Sequence, residues 1–329
     1  MEKILLDNYN GKDSFLYVIK NSCLELGVVD FGCRIHSIKV DGVDICLGYN
    51  KTSEYLKSGT YMGATIGRHG NRIKDGRFSL NGVTYQLNIN NGKNHNHGGF
   101  VGFDRVFFDF VRAEEDSLLF HYFSKDKEEN YPGDLDLFVK YTIKDMSVLI
   151  EFSAKSDQDT IWNPTNHTYF NLDGEDEPTM LNNILQINAS GFTPTDETQI
   201  PLGNIQSVVG TPFDFRSGKT IGQDNNDPYL IPTKGYDHNF VLDGNPAAVV
   251  KSNKTGISMK IESDMPCLQF YGGGLIIETE GKSRRYGQYA GFCLEPHHCP
   301  NAINMEGFKK PILKKDELGS HYIKYIFEK

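Results

Sequence analysis

Two short stretches, far apart in the chain, carry side chains suited to proton transfer. The first is Asn163-Pro164-Thr165-Asn166-His167-Thr168-Tyr169-Phe170-Asn171-Leu172. It sets one imidazole among amide, hydroxyl and aromatic neighbours, where it can give or take a proton near neutral pH. The second is Gly291-Phe292-Cys293-Leu294-Glu295-Pro296, which places Glu295 behind small and apolar residues. Burial of that kind raises a carboxylate's pKa toward the range in which it works as a base. Together His167 and Glu295 supply one acid and one base for a reaction that needs only proton transfers. Each also has a plainer reading, His167 as a hydrogen-bonded core histidine and Glu295 as an ion-pair partner of Arg72.

Three further segments concentrate polar side chains between strands. Gly67-Arg68-His69-Gly70-Asn71-Arg72-Ile73 follows the apolar Met62 to Ile66. It is either a solvated loop or a cleft edge where Asn71 and Arg72 donate to hydroxyl oxygens. Asn94-His95-Asn96-His97-Gly98-Gly99 spaces two histidines at i and i+2, on one face if the segment is a strand. That spacing suits a metal, while the paired glycines suit close approach of a ligand to a neutral His97. Tyr236-Asp237-His238 opens a strand, so Asp237 is a turn residue or an acceptor for vicinal hydroxyls.

The elements that must position these groups are strands. Among the 329 residues are 21 Phe, 17 Tyr and 33 Gly, a mix that favours many strands joined by tight turns. Asn81-Gly82 between Gly76–Leu80 and Val83–Leu87 is a strong hairpin signal. Leu135–Ile143 alternates, turns at Lys144-Asp145 and returns as Ser147–Ala154. Phe107–Val111 pairs with Leu118–Phe123, and Ile257–Ile261 and Cys267–Tyr271 read as strands. Helical period is confined to short pieces such as Thr52–Ser58. Without a glycine-rich strand-to-helix turn, a fixed repeat or a linker, the economical fold class is all-β: one large antiparallel β-sandwich over residues 1–329 with a few short helices.

Composition narrows the partners. A net charge of -9 argues against nucleic acid and anionic membrane, which want clustered Lys and Arg. No apolar run approaches the roughly 20 residues a membrane helix needs, and the N-terminus lacks a signal-peptide core, so the expected location is cytoplasmic. In a reducing compartment the six cysteines, with no C-x-x-C pair, are expected to be buried thiols. His297, His298 and Cys299 adjoin one another, but neighbours on a strand face opposite ways and do not converge on one ion.

Taken in order, the segments resemble the aldose 1-epimerase (galactose mutarotase) family over nearly the whole chain. The resemblance rests on Gly63-Ala64-Thr65-Ile66-Gly67-Arg68 with Asn71-Arg72-Ile73, on His97-Gly98-Gly99 with Gly102-Phe103-Asp104, and on Tyr131-Pro132-Gly133. It continues through Asn166–Leu172, Gly210–Phe215, Tyr236-Asp237-His238 and Leu294-Glu295. It implies a β-sandwich with a sugar cleft on one curved face. It also implies Glu295 as general base, His167 as general acid, and Arg72, His97, Asp237, Asn71 and Gln269 as substrate-binding residues. The implied activity interconverts the α and β anomers of free aldoses such as galactose and glucose. The partner is a monosaccharide, with no metal and no organic cofactor, and the protein would stand as a monomer or weak homodimer. On this reading ionised Glu295 sits beside protonated His167, each charge favouring the other.

Two segments depart from the family pattern. Tyr271-Gly272-Gly273-Gly274 stands where threonine or serine, then glycine and asparagine, are usual, and Pro296-His297-His298 puts a histidine where glutamine is usual. Both bear on sugar preference. The competing readings are a hexose-phosphate 1-epimerase, which would need more cations at the cleft than Arg68 and Arg72, and a non-catalytic carbohydrate-binding protein on the same scaffold. A glycosidase would need two opposed carboxylates.

Overall fold

A computed structural model describes residues 1–329, with every side chain but that of Ser58. Its strands are short and antiparallel, and two sheets carry the architecture. The larger has nine strands; its central four are Leu135–Lys144, Ser147–Ser156, Leu318–Glu328 and Ser258–Ser263, in that spatial order. Side chains of this strand alternate between buried and half-buried from Leu135 through Ile143, as a strand with one face on a core requires. The second sheet has six strands in the order Tyr169–Phe170, Phe292–His297, Cys267–Tyr271, Asp237–Val241, Gly191–Thr193 and Gln206–Ser207. A five-stranded meander, Glu2–Tyr9 to Val43–Asp44, adds a third sheet at the N-terminal end. The fold class is therefore the expected all-β sandwich.

The core joins the sheets. Phe240, Leu268, Phe270, Phe292 and Leu294 of the six-stranded sheet share one buried cluster with Leu137, Ile150, Ile261 and Tyr325 of the nine-stranded sheet. Phe170 meets Tyr325 edge-on, with ring centroids 5.1 Å apart. With one face of Phe292–His297 committed to this core, the alternate residues Cys293, Glu295 and His297 must point to the other face. That face is the floor of the cleft.

Local turn chemistry accounts for much of the rest. The hairpin at Asn81-Gly82 has φ of 52° and 78°, the two positive values that a type I′ turn needs. Thr52–Ser58 is an α-helix; the Lys51 N–H donates to Glu54 Oε2 at 3.0 Å, and Gly59 ends it at φ 62°. Other helical pieces are single 3-10 turns, such as Phe103–Arg105 and Ala302–Asn304.

Two expectations are corrected. The pair placed at Phe107–Val111 and Leu118–Phe123 runs instead from Asp109–Ala113 to Ser117–Ser124. Phe107 bridges to Phe31, and the Phe108 N–H donates to the Asp30 carbonyl, so that stretch serves the N-terminal sheet first. The cysteines are not all thiols. Cys267 and Cys299 form a disulfide, while Cys23, Cys33, Cys46 and Cys293 are unpaired. Cys267 lies opposite His297 in the ladder, which brings Cys299, two residues further on, to a Cα separation of 5.5 Å.

Candidate active site

Register across the six-stranded sheet builds the floor in rows. Thr193, Asn239, Gln269 and Glu295 lie opposite one another on successive strands. The next row is Asp237, Tyr271, Cys293 and Tyr169. Paired residues in antiparallel strands project to the same side. One ladder therefore delivers Asp237, Gln269 and Glu295 to a common surface from three strands distant in sequence.

His167 arrives from another direction. Thr165–Asn166 pairs with Thr65–Ile66; the His167 N–H donates to the Ala64 carbonyl, and the Gly63 N–H donates to the His167 carbonyl, each at 2.9 Å. The Asn166 side chain fixes the turn, donating to the Gly63 carbonyl at 2.9 Å and accepting from the Thr168 N–H at 3.2 Å. The imidazole is held between Tyr61 and Tyr169, at centroid distances of 5.7 and 5.2 Å, with the His97 ring edge-on at 5.3 Å.

The i and i+2 histidines do not share a face. His95 belongs to the strand His95–Asn96 and is buried, bonding the Asn88 carbonyl and the Tyr131 hydroxyl through its two nitrogens. His97 has φ 50°, so the chain leaves extended geometry there and the ring swings into the cleft. Gly98 permits the swing, because at φ 90° a Cβ would lie 1.8 Å from the Gly67 carbonyl oxygen. The Asn71 N–H donates to His97 Nδ1 at 3.2 Å. With Nδ1 accepting, the neutral ring carries its proton on Nε2 and is a donor.

All seven residues singled out in the sequence line one cavity of about 270 Å3: Asn71, Arg72, His97, His167, Asp237, Gln269 and Glu295. His167 Nε2 lies 3.5 Å from Glu295 Oε1, and Glu295 Oε2 is buried without a hydrogen-bond partner. Gln269 donates to Asp237 Oδ1 at 2.6 Å, leaving its own oxygen unpartnered. Arg72 does not pair with Glu295; its Nε donates to Asn91 Oδ1 at 3.1 Å and its Nη2 to Gln199. Arg68 takes no part in the cavity, since its buried guanidinium binds Ser124 and the carbonyls of Lys125, Pro132 and Gly133. Tyr271, from the segment that departs from the family pattern, lines the cavity with Tyr169 and Asn96; sequence reasoning missed Tyr61 and Ile277 there and Gln199 beside it. A tyrosine in an aromatic-rich strand carries no signal separating cleft from core.

Burial governs the protonation states. It pushes Glu295 well above the ordinary carboxylate range, with nearby Asp237 adding to the rise and Arg72 opposing it. It lowers His167 to about 4 and drives His97 well below its usual value. Burial thus disfavours the charged form of each member of the pair. At 3.5 Å in a desolvated site, the attraction between an ionised Glu295 and a protonated His167 is opposed by the cost of removing both charges from water.

His97, His167 and Glu295 bring ligand atoms within 4.8 Å of one another, a set that a metal ion could use. The tautomer of His97 opposes it, since Nδ1 is committed to the Asn71 N–H and Nε2 carries the ring proton. Of His297, His298 and Cys299, the Cys299 thiol is spent in the disulfide, while Nδ1 of His297 bonds the His298 carbonyl and Nδ1 of His298 the Lys309 carbonyl.

The molecule is an all-β sandwich that gathers a carboxyl, an imidazole and several polar side chains around one cavity at a sheet face. The sequence model of the aldose 1-epimerase family matches residues 16–325. A galactose mutarotase from Sus scrofa is 35% identical over 322 residues, covering 94% of this chain and 93% of that protein. The aldose 1-epimerase of Escherichia coli (strain K12) is 33% identical, covering 97% and 96%. Among solved structures, a galactose 1-epimerase from Lactobacillus acidophilus NCFM superposes with a TM-score of 0.89 at 30% identity, over 99% of this chain and 98% of that one. The chain belongs to the aldose 1-epimerase family, and it is a mutarotase, an enzyme acting on a monosaccharide.

Proposed function

We propose that this enzyme interconverts the α and β anomers of galactose and glucose by opening and reclosing the pyranose ring. Glu295 takes the proton of the anomeric hydroxyl while His167 gives one to the ring oxygen. The aldehyde turns over and recloses with the roles reversed. The observation that carries the reading is the meeting of Glu295 Oε1 and His167 Nε2, 3.5 Å apart, on the wall of one small cavity. Each proton-transfer group is worth about 10²–10⁴ in rate, enough for a reaction that already proceeds in water.

Protonated Glu295 beside neutral His167 is the arrangement that exists once the ring has opened. Burial favours the same neutral arrangement before a sugar enters, so a closed sugar has to draw that proton back onto His167. Its hydroxyls and the Arg72 guanidinium supply the polar surroundings for the resulting charges. Arg72, His97, Asp237, Asn71 and Gln269 orient the ring. His97, as an Nε2 donor, suits a sugar oxygen, and Asp237 suits hydroxyl protons.

Among the described residues, Arg72 is the only lysine or arginine on the cavity wall, which disfavours a hexose phosphate. A pure sugar binder gains nothing from a buried acid beside an imidazole. We place the enzyme in the cytoplasm as one domain and a monomer or weak homodimer; no helix of the described residues is long and apolar enough to cross a membrane. Polarimetry of freshly dissolved α-D-galactose tests the activity. The rotation should settle faster with protein than in buffer, and buffer rates for galactose and glucose alike would refute it.

A further inference from the structure

We propose that Gln199 is a positioning residue whose amide holds Arg72 and Asp237 apart and aimed at the sugar; this rests on the mutarotase site described above. The Gln199 Nε2 donates to Asp237 Oδ2 at 2.6 Å, and its Oε1 accepts from Arg72 Nη2. One planar amide thus presents its negative end to the guanidinium and its positive end to the carboxylate. Asn91 holds the Arg72 Nε at 3.1 Å, and Gln269 holds the other Asp237 oxygen at 2.6 Å.

An arginine and a carboxylate this close to a common partner would otherwise pair directly, in the two-pronged geometry that guanidinium and carboxylate share. No ion pair joins Arg72 to Asp237 among the described residues. The amide occupies the intervening position as a neutral spacer, so each charge keeps hydrogen-bonding capacity for a substrate hydroxyl. A direct pair would turn both inward and take them from the ring.

The backbone under Gln199 is built to hold it there. Asp196 Oδ1 accepts from the Thr198 N–H at 2.8 Å, the Thr198 hydroxyl at 2.7 Å and the Ile200 N–H at 3.1 Å. The Gln199 N–H donates to the Asp196 carbonyl at 2.9 Å, and φ is 62°, a left-handed value that a side chain seldom adopts. Gln199 does not line the 270 Å3 cavity. It lines a larger neighbouring one of about 690 Å3, and Arg72 lines both. The amide therefore stands behind the groups that face the sugar.

Galactose kinetics of Gln199→Met, which keeps the bulk without the polar ends, test this. KM should rise about ten-fold, the scale of losing hydrogen bonds to charged groups, with kcat within about two-fold of wild type. Gln199→Glu adds a readout that a packing role would not move. Protonated, that carboxyl can accept from Arg72 and donate to Asp237 as the amide does; ionised, it repels Asp237. Its KM, relative to wild type, should fall as pH is lowered toward 5. An active wild type with unchanged KM in Gln199→Met, or a Gln199→Glu ratio flat with pH, overturns the inference alone. A change in kcat that tracks a lowered melting temperature does the same. A wild type at buffer rates instead removes the mutarotase reading itself.

Discussion

At the level of single residues, His167 and Glu295 face each other 3.5 Å apart, and burial disfavours the charged form of each. His167 and Glu295 stand out because few ionisable groups are embedded in apolar sequence, and each meets the other in one cavity. Which of them holds the proton depends on how completely the fold excludes water, a property of all surrounding strands. Gln199 was invisible for a related reason, since its role exists only through Arg72 and Asp237, 127 and 38 residues away. Because burial lowers His167 to about 4, its imidazole should stay neutral in the sugar-free enzyme on acidification from neutrality until well below the ordinary value of 6.5. Nitrogen-15 NMR of the labelled protein reads this directly. A His167 titration near the ordinary value would mean that the charged pair is the resting state.

At the level of elements, turn chemistry and alternation carried far. Asn81-Gly82 and the alternating Leu135–Lys144 gave hairpins whose register the structure keeps. What could not be read was the order in which distant strands meet. Leu318–Glu328 inserts between Ser147–Ser156 and Ser258–Ser263, and the disulfide from Cys267 to Cys299 follows from a ladder with no local signature. The left-handed turn at His97-Gly98 belongs to this scale too, because it converts an apparent strand into a loop aimed at the cleft. Gly98→Ala should therefore lower the melting temperature by several degrees and raise KM for galactose together, the Cβ meeting the Gly67 carbonyl at 1.8 Å. Differential scanning calorimetry with kinetics checks it; a variant with wild-type melting and KM would show that the backbone relaxes without moving His97.

For the whole molecule, burial disfavours the charged form of most of the histidines. Eight of the ten are buried with lowered pKa: His36, His69, His95, His97, His167, His238, His297 and His298. In the unfolded chain each would protonate near 6.5, whereas in the folded protein those with defined values wait until about 3 or 4. The unfolded state thus takes up more protons as pH falls through that window, and stability falls with it. Asp30 and Asp104, raised to about 6, and Asp44 and Glu295, also raised, act in the opposite sense because folding favours their protonated forms. They are fewer, so the melting temperature should drop on going from about pH 7 to about pH 5. A melting temperature that is flat or rises over that range would show that the buried histidines are paid for elsewhere.

The central claim is that Glu295 carries the proton of the anomeric hydroxyl. Glu295→Gln keeps the shape and removes the base, so polarimetry of fresh α-D-galactose should show the catalysed rate falling by about 10²–10⁴. Calorimetry of the same variant should still register galactose binding. Mutarotation at the wild-type rate by a folded Glu295→Gln protein would contradict the account.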